Sequence, residues 1–151
     1  VTFPAQRNLF TKRWRKVTAL PQREDTTLHI PLVTILRLCL RPDVIFRHVP
    51  NGEHRHPRVA QKLKAMGVLP GSADLEFHWV EPAERGWTRR VLHLELKIGK
   101  RPMSIAQVEF ALAVRLLGDE YHVVRTVDEA IAVLGERGLI RSDVEVCGRR
   151  W

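Results

Sequence analysis

Beyond residue 25, apolar positions recur in two periods, one near 3.6 residues and one of 2, and the switches between them predict the elements. Thr26 to Leu40 reads as a helix, with Leu28, Leu32, Ile35 and Cys39 on one stripe. Pro31 must fall in its first turn, where a missing N–H costs nothing, and Arg41-Pro42-Asp43 ends it. VIFRHV, 44–49, alternates as a short strand, and Pro50-Asn51-Gly52 is a turn signal. Pro57 opens a second helix, PRVAQKLKAM, with Val59, Leu63 and Met66 as its apolar stripe and Gly67 as a left-handed cap. Pro70-Gly71 suits a type II turn. DLEFHWV, 74–80, and TRRVLHLELK, 88–97, are strands around the polar turn EPAERG and should pair as an antiparallel hairpin. Ser104 starts a third helix, lined by Ile105, Val108, Leu112 and Leu116 and ended by Gly118. YHVVRT, 121–126, is a strand, and Thr126 with Glu129 forms a capping box for the helix VDEAIAVL.

The order α-β-α-β-β-α-β-α predicts an α/β fold, a mixed sheet flanked by helices. Three segments are expected: a basic N-terminal arm over 1–25, a folded domain over 26–138 and a basic C-terminal tail over 139–151. A chain of 151 residues is enough for one domain with a real core. No apolar run reaches the ~20 residues that span a bilayer, so no membrane is expected. VTFPAQRNLFTKRWRK lacks the apolar centre of a secretory signal. Cys39 and Cys147 have no CxxC spacing, so neither zinc nor a disulfide framework is indicated, and a reducing cytoplasm fits.

Charge changes the picture. Twenty-five Lys and Arg against 17 Asp and Glu give a net +8, which favours polyanions, nucleic acid before membrane. The arm, with FTKRWRK, reads either as a terminus packed on the domain or as a phosphate-contacting segment.

The chemistry lies in the hairpin. Leu92, Leu94 and Leu96 share one strand face; Val91, His93, Glu95 and Lys97 share the other, with Glu95 and Lys97 about 7 Å apart along the strand. Antiparallel pairing sets the start of one strand beside the end of the other, so Asp74 can approach Glu95 and Lys97. Two neighbouring carboxylates repel unless a cation intervenes. A hard ion such as Mg²⁺ (or Mn²⁺) could take oxygens from Asp74, Glu95, the Leu96 carbonyl and phosphate. It would lower the pKa of a bound water, with Lys97 holding that water or stabilising developing charge. The bland alternative is a strand start beside a solvated Glu–Lys pair.

The stretches HVPNGEHRHPRVAQKLKAMGVLPGSADLEF, LHLELK, SIAQVEFALAVRLLG and YHVVRTVDEAIAVL together resemble the VRR-NUC domain, a branch of the PD-(D/E)xK nuclease superfamily. The similarity runs from Asp25 to Leu134. It implies a restriction-endonuclease-like core and Mg²⁺- or Mn²⁺-dependent DNA cleavage. Stand-alone phage-type members cut branched DNA, including Holliday junctions, often as homodimers, which implies the cytoplasm of a bacterial or phage-infected cell. By position, Asp74 and Glu95 match the acidic ligands, Lys97 the motif lysine and Gln107 a glutamine on the following helix. The usual proline before the aspartate is Ala73 here. A first-helix acid has no clean match; Asp25 comes first and Glu24 next.

Gln107 also has a local explanation, because Ser104-x-x-Gln107 is a capping box; both readings stay open. In HVPNGEHRHPR, His54-x-His56 lacks a third ligand for zinc. His48, Asn51 and Arg55, with Arg58, Lys62 and Lys64 on the next helix, are instead candidates to guide DNA toward Asp74, against the alternative of a solvated turn and helix face. Arg125 is expected to face that groove or a surface salt bridge. Rival functions are a non-catalytic DNA-binding module, a subunit meeting an acidic protein, and a restriction-type nuclease reading a short sequence.

Overall fold

The computed structural model describes residues 25–50, 57–146 and 148–150. A π-helical turn, Asp25–His29, leads into α1, Ile30–Cys39. Pro31 sits in the first turn of α1 as expected. It has no N–H to return to the carbonyl four residues back, and the preceding turn is correspondingly wider. Next come β1 (Ile45–His48), α2 (Pro57–Ala65), β2 (Leu75–Ala83) and β3 (Gly86–Leu96). α3 (Ile105–Leu116), β4 (Glu120–Val124) and α4 (Val127–Glu136) complete the main body, and β5 (Glu145–Val146) pairs with β6 (Arg149–Arg150).

The protein is a mixed α/β fold. Four strands form one sheet in the order β1-β2-β3-β4. The first three run antiparallel, and β4 lies parallel to β3. A parallel neighbour cannot be reached by a tight turn, so the chain crosses over through α3. One sheet face is dry. Leu75, Phe77, Leu92, Leu94 and Leu96 are fully buried there against Leu32 and Leu36 of α1 and Ile131 and Leu134 of α4. Each such side chain contributes roughly 1.5–3 kcal/mol by leaving water. Leu139, Ile140 and Val146 join the same core, and Leu40 bridges Ile140. The other face is smaller and polar, and α3 covers it through Ala111 and Val114 with Ala73 and Tyr121. Among the described residues no helix is long and apolar enough to cross a membrane.

Four expectations need correction. The hairpin does not open at Glu81: pairing continues to Ala83↔Gly86 around a two-residue turn, Glu84-Arg85. Main-chain hydrogen bonds are indifferent to polar side chains, and Gly86 supplies the positive φ of +94° after that turn. In α3, Ile105, Val108, Leu112 and Leu116 face outward rather than into the core; Leu116 is 89% exposed. In α2, Val59 and Met66 are also exposed, and Leu63 is only half-buried. Ahead of α4, Thr126 Oγ1 accepts from Glu129 N–H, but the Glu129 carboxylate accepts from Arg125 N–H at 2.6 Å, so half of the capping box forms. Around Gly67, whose φ is +90°, the α2 cap forms as expected.

Candidate active site

Glu95 lies on the polar face of β3, one residue from its end, and is 1% exposed. An isolated buried carboxylate is costly, so its partners matter. Lys97 Nζ is 2.7 Å from Glu95 Oε1. Gln107 donates its side-chain N–H to the same oxygen, and the Tyr121 hydroxyl lies 3.4 Å from Oε2. Those groups come from the end of β3, the first turn of α3 and β4. Register explains the last: β3 and β4 pair with Leu94↔His122 and Glu95↔Val123, and Tyr121, opposite His93, projects onto the polar face. Burial and the nearby Glu95 and Asp74 charges push the Tyr121 phenol far above its usual range, so it stays a neutral donor.

Gln107 caps α3, as its spacing indicated, and also meets Glu95. Its Oε1 accepts from Ser104 N–H at 2.9 Å and Ser104 Oγ accepts from Gln107 N–H, a complete capping box. Its amide nitrogen meanwhile meets Glu95. The cap fixes the rotamer that reaches the carboxylate.

Asp74 sits just before β2. Register extended one residue from Leu75↔Leu94 sets it beside Glu95. Its Oδ2 accepts from Leu96 N–H at 2.8 Å. Burial pushes the Asp74 carboxyl above its ordinary value; the Leu96 N–H and the charges of His29, Lys97 and His48 oppose this only in part. The turn before it is unusually close to α3. At Gly71, φ is +82°, and a Cβ there would lie 2.3 Å from the Ala106 carbonyl oxygen and 2.7 Å from Gln107 N. No other residue type fits without moving α3, so the approach to Asp74 and the helix bearing Gln107 are locked together.

The structure thus brings Asp74, Glu95, Lys97 and Gln107 to one rim. His48 joins them: its Nδ1 is 2.9 Å from the Asp74 carbonyl oxygen, and its ring meets His29 edge-on at 4.5 Å. Arg58, Lys62 and Lys64 are exposed on α2, across a groove of about 650 Å³ that runs from Val59 and Leu63 to Ser72 and His48. Asp25 begins the π-helical turn, whereas Glu24, Asn51 and Arg55 lie outside the described residues. Arg125 makes no salt bridge among the described residues; its guanidinium binds the Gly99 and Arg101 carbonyls and braces the loop after β3.

Sequence reasoning placed His93 on the face of Glu95 but missed Glu76 opposite it. Glu76 and His93 face each other across β2 and β3 and are buried. Arg47 holds Glu76 at 2.7 Å. His93 Nδ1 is 3.5 Å from Glu76 and its Nε2 3.6 Å from Asp119, and neither nitrogen has a hydrogen-bond partner among the described residues. Burial lowers the His93 pKa more than the two carboxylates raise it, which keeps the ring neutral. Extending the alternation from Asp74 to Glu76 on β2 would have exposed this row.

Among the described residues no three His, Cys, Asp or Glu side chains gather as metal ligands. The pair Asp74 and Glu95 still fits a hard cation. One carboxylate is destabilised by burial, the pair carries two negative charges against one lysine, and such ions keep several water ligands. No family model matches the chain, and neither the curated proteins nor the solved structures contain a match.

Proposed function

We propose that the protein is a divalent-metal-dependent DNA endonuclease of the VRR-NUC branch of the PD-(D/E)xK superfamily, with a restriction-endonuclease-like core, acting on branched DNA such as Holliday junctions. The observation that carries this reading is Glu95, buried yet held by Lys97 and Gln107 beside Asp74. A purely structural ion pair gains little from such burial, because desolvation offsets the Coulomb attraction. Perturbed, clustered ionisable groups at a sheet rim are instead what catalysis uses.

In this reading Asp74, Glu95 and the Leu96 carbonyl would hold Mg²⁺ or Mn²⁺, which when bound would acidify a water and polarise the scissile phosphate. Lys97 directs the attacking water in line with the leaving oxygen and stabilises charge on the phosphate. Gln107 fixes the Glu95 carboxylate by donating its amide N–H to Oε1. Water oxygen bonds to phosphorus and gives up a proton to solvent, the P–O bond to the leaving strand breaks, and the leaving oxygen takes a proton. His48, Arg58, Lys62 and Lys64 contact flanking phosphates, to which a net charge of +8 is suited.

The test is incubation with four-way junctions, flaps and linear duplex, each with Mg²⁺, Mn²⁺ or EDTA. Junction cleavage that needs metal and disappears in Lys97→Ala, with DNA binding kept, supports the proposal. Binding without metal-dependent cleavage under any condition would leave a DNA-binding module, and cutting of linear duplex at one motif a restriction-type enzyme.

A further inference from the structure

β1 pairs with β2 only over Leu75–His78, and β4 pairs with β3 only over Leu92–Leu96. The remaining length of the hairpin, Trp79–Ala83 against Gly86–Arg90, is flanked by no strand among the described residues and extends past the sheet as a two-stranded ribbon. Every residue from Gly86 to Arg90 is exposed, and Trp87 is 71% exposed. An indole offers much apolar area and is normally buried.

Register decides which side it occupies. Val80↔Arg89 and Pro82↔Trp87 continue the alternation of Glu76↔His93, so Trp87, Arg89 and Val80 belong to the same sheet face as Glu95 and Lys97. The right-handed twist of a ribbon turns that face progressively away from the site. On the opposite face the charges are spent: Arg90 pairs with Glu81, which also accepts from the Trp79 indole. Among the described residues Arg89 hydrogen-bonds His78 Nδ1, at 3.1 Å, and forms no ion pair, although Glu76 and Asp119 line the same pocket. One face of the ribbon therefore pairs an exposed indole with an unneutralised guanidinium.

We propose that this face is a second DNA contact, with Trp87 stacking on base or sugar surface and Arg89 on a phosphate of a duplex arm leading away from the cut. The choice of DNA as occupant rests on the nuclease reading and on the charge left over at Arg89. Trp87 is eight positions from Glu95, about 26 Å along the strand, which matches about eight base-pair steps of 3.4 Å.

The experiment uses the Lys97→Ala protein, so that binding is measured without cutting, and four-way junctions with arms of about 5 or about 14 base pairs, short of or beyond that reach. Long-armed junctions should bind about tenfold tighter than short-armed ones. Trp87→Ala added to Lys97→Ala should erase that difference, and Trp87→Phe should keep most of it. An arm-length difference that survives Trp87→Ala overturns the proposal, as does a change in oligomeric mass in place of a change in DNA affinity. Cleavage by the chain with Lys97 intact is read in parallel with Mn²⁺. No cleavage with the Trp87 effect present removes the nuclease reading alone; cleavage without the Trp87 effect removes the ribbon contact alone.

Discussion

Asp74 is a carboxylate in a place that disfavours its charge. The fold holds its proton more tightly than the unfolded chain does, so stability declines as pH rises from the ordinary value of 3.8 through the raised folded one. Asp74→Asn removes that cost, and its melting temperature in EDTA should exceed that of the unsubstituted chain. Mg²⁺ or Mn²⁺ at a hundredfold excess over Kd should stabilise the unsubstituted chain by about 2.7 kcal/mol and leave Asp74→Asn unmoved. Equal metal shifts in both proteins would show that Asp74 is no ligand. The two duties of Gln107 can also be separated. Ser104→Ala and Gln107→Ala each weaken the cap and should lose about 1 kcal/mol in urea titrations. Only Gln107→Ala also releases Glu95, and only it should lower turnover at saturating DNA, by tenfold or more. At this scale most of the site was legible. Strand alternation aligned Glu95 with Lys97; spacing marked Gln107 as a cap, and only the family resemblance put it beside them. Tyr121 was not, because its place depends on a parallel register with β3 that local pattern does not encode.

Among elements, α3 is the instructive case. Gln107, Ala111 and Val114 face the sheet, and the larger Ile105, Leu112 and Leu116 face out. Periodicity finds two faces on such a helix and cannot say which is inward. The choice follows from what lies beneath: a polar sheet face with a bulky Tyr121 accepts small residues and an amide. Strand limits were legible to within a few residues, except where the hairpin outran its polar turn signal. The Pro70-Gly71 turn was legible as a turn, while the reason for its glycine was not. Gly71→Ala combines a left-handed backbone with overpacking against Ala106, and should cost about 2–5 kcal/mol in chemical denaturation. A substitution that leaves stability unchanged would mean that α3 can slide without penalty.

For the whole molecule, the mixed α/β class and element order were readable because helix and strand periods differ. The pairing of β3 with β4 was not, since it joins residues across a crossover. Net charge of +8 makes a prediction at this scale. If six phosphates are contacted, affinity for DNA should fall about a thousandfold between 50 and 200 mM salt, measured by fluorescence anisotropy with the Lys97→Ala protein. A flat salt response would exclude phosphate contacts as the basis of binding.

The sheet is a partition, with oil on one side and ions on the other, and β3 takes part in both. Leu92, Leu94 and Leu96 answer to α1 and α4; His93, Glu95 and Lys97 answer to the polar groups gathered on the other face. Each step along those seven residues therefore changes the terms in which damage is measured. A library of substitutions at Val91 through Lys97, scored separately for protein abundance and for DNA cutting, should flicker between the two assays. Even-numbered positions would fail by disappearing from the cell, and Glu95 and Lys97 by persisting there inert.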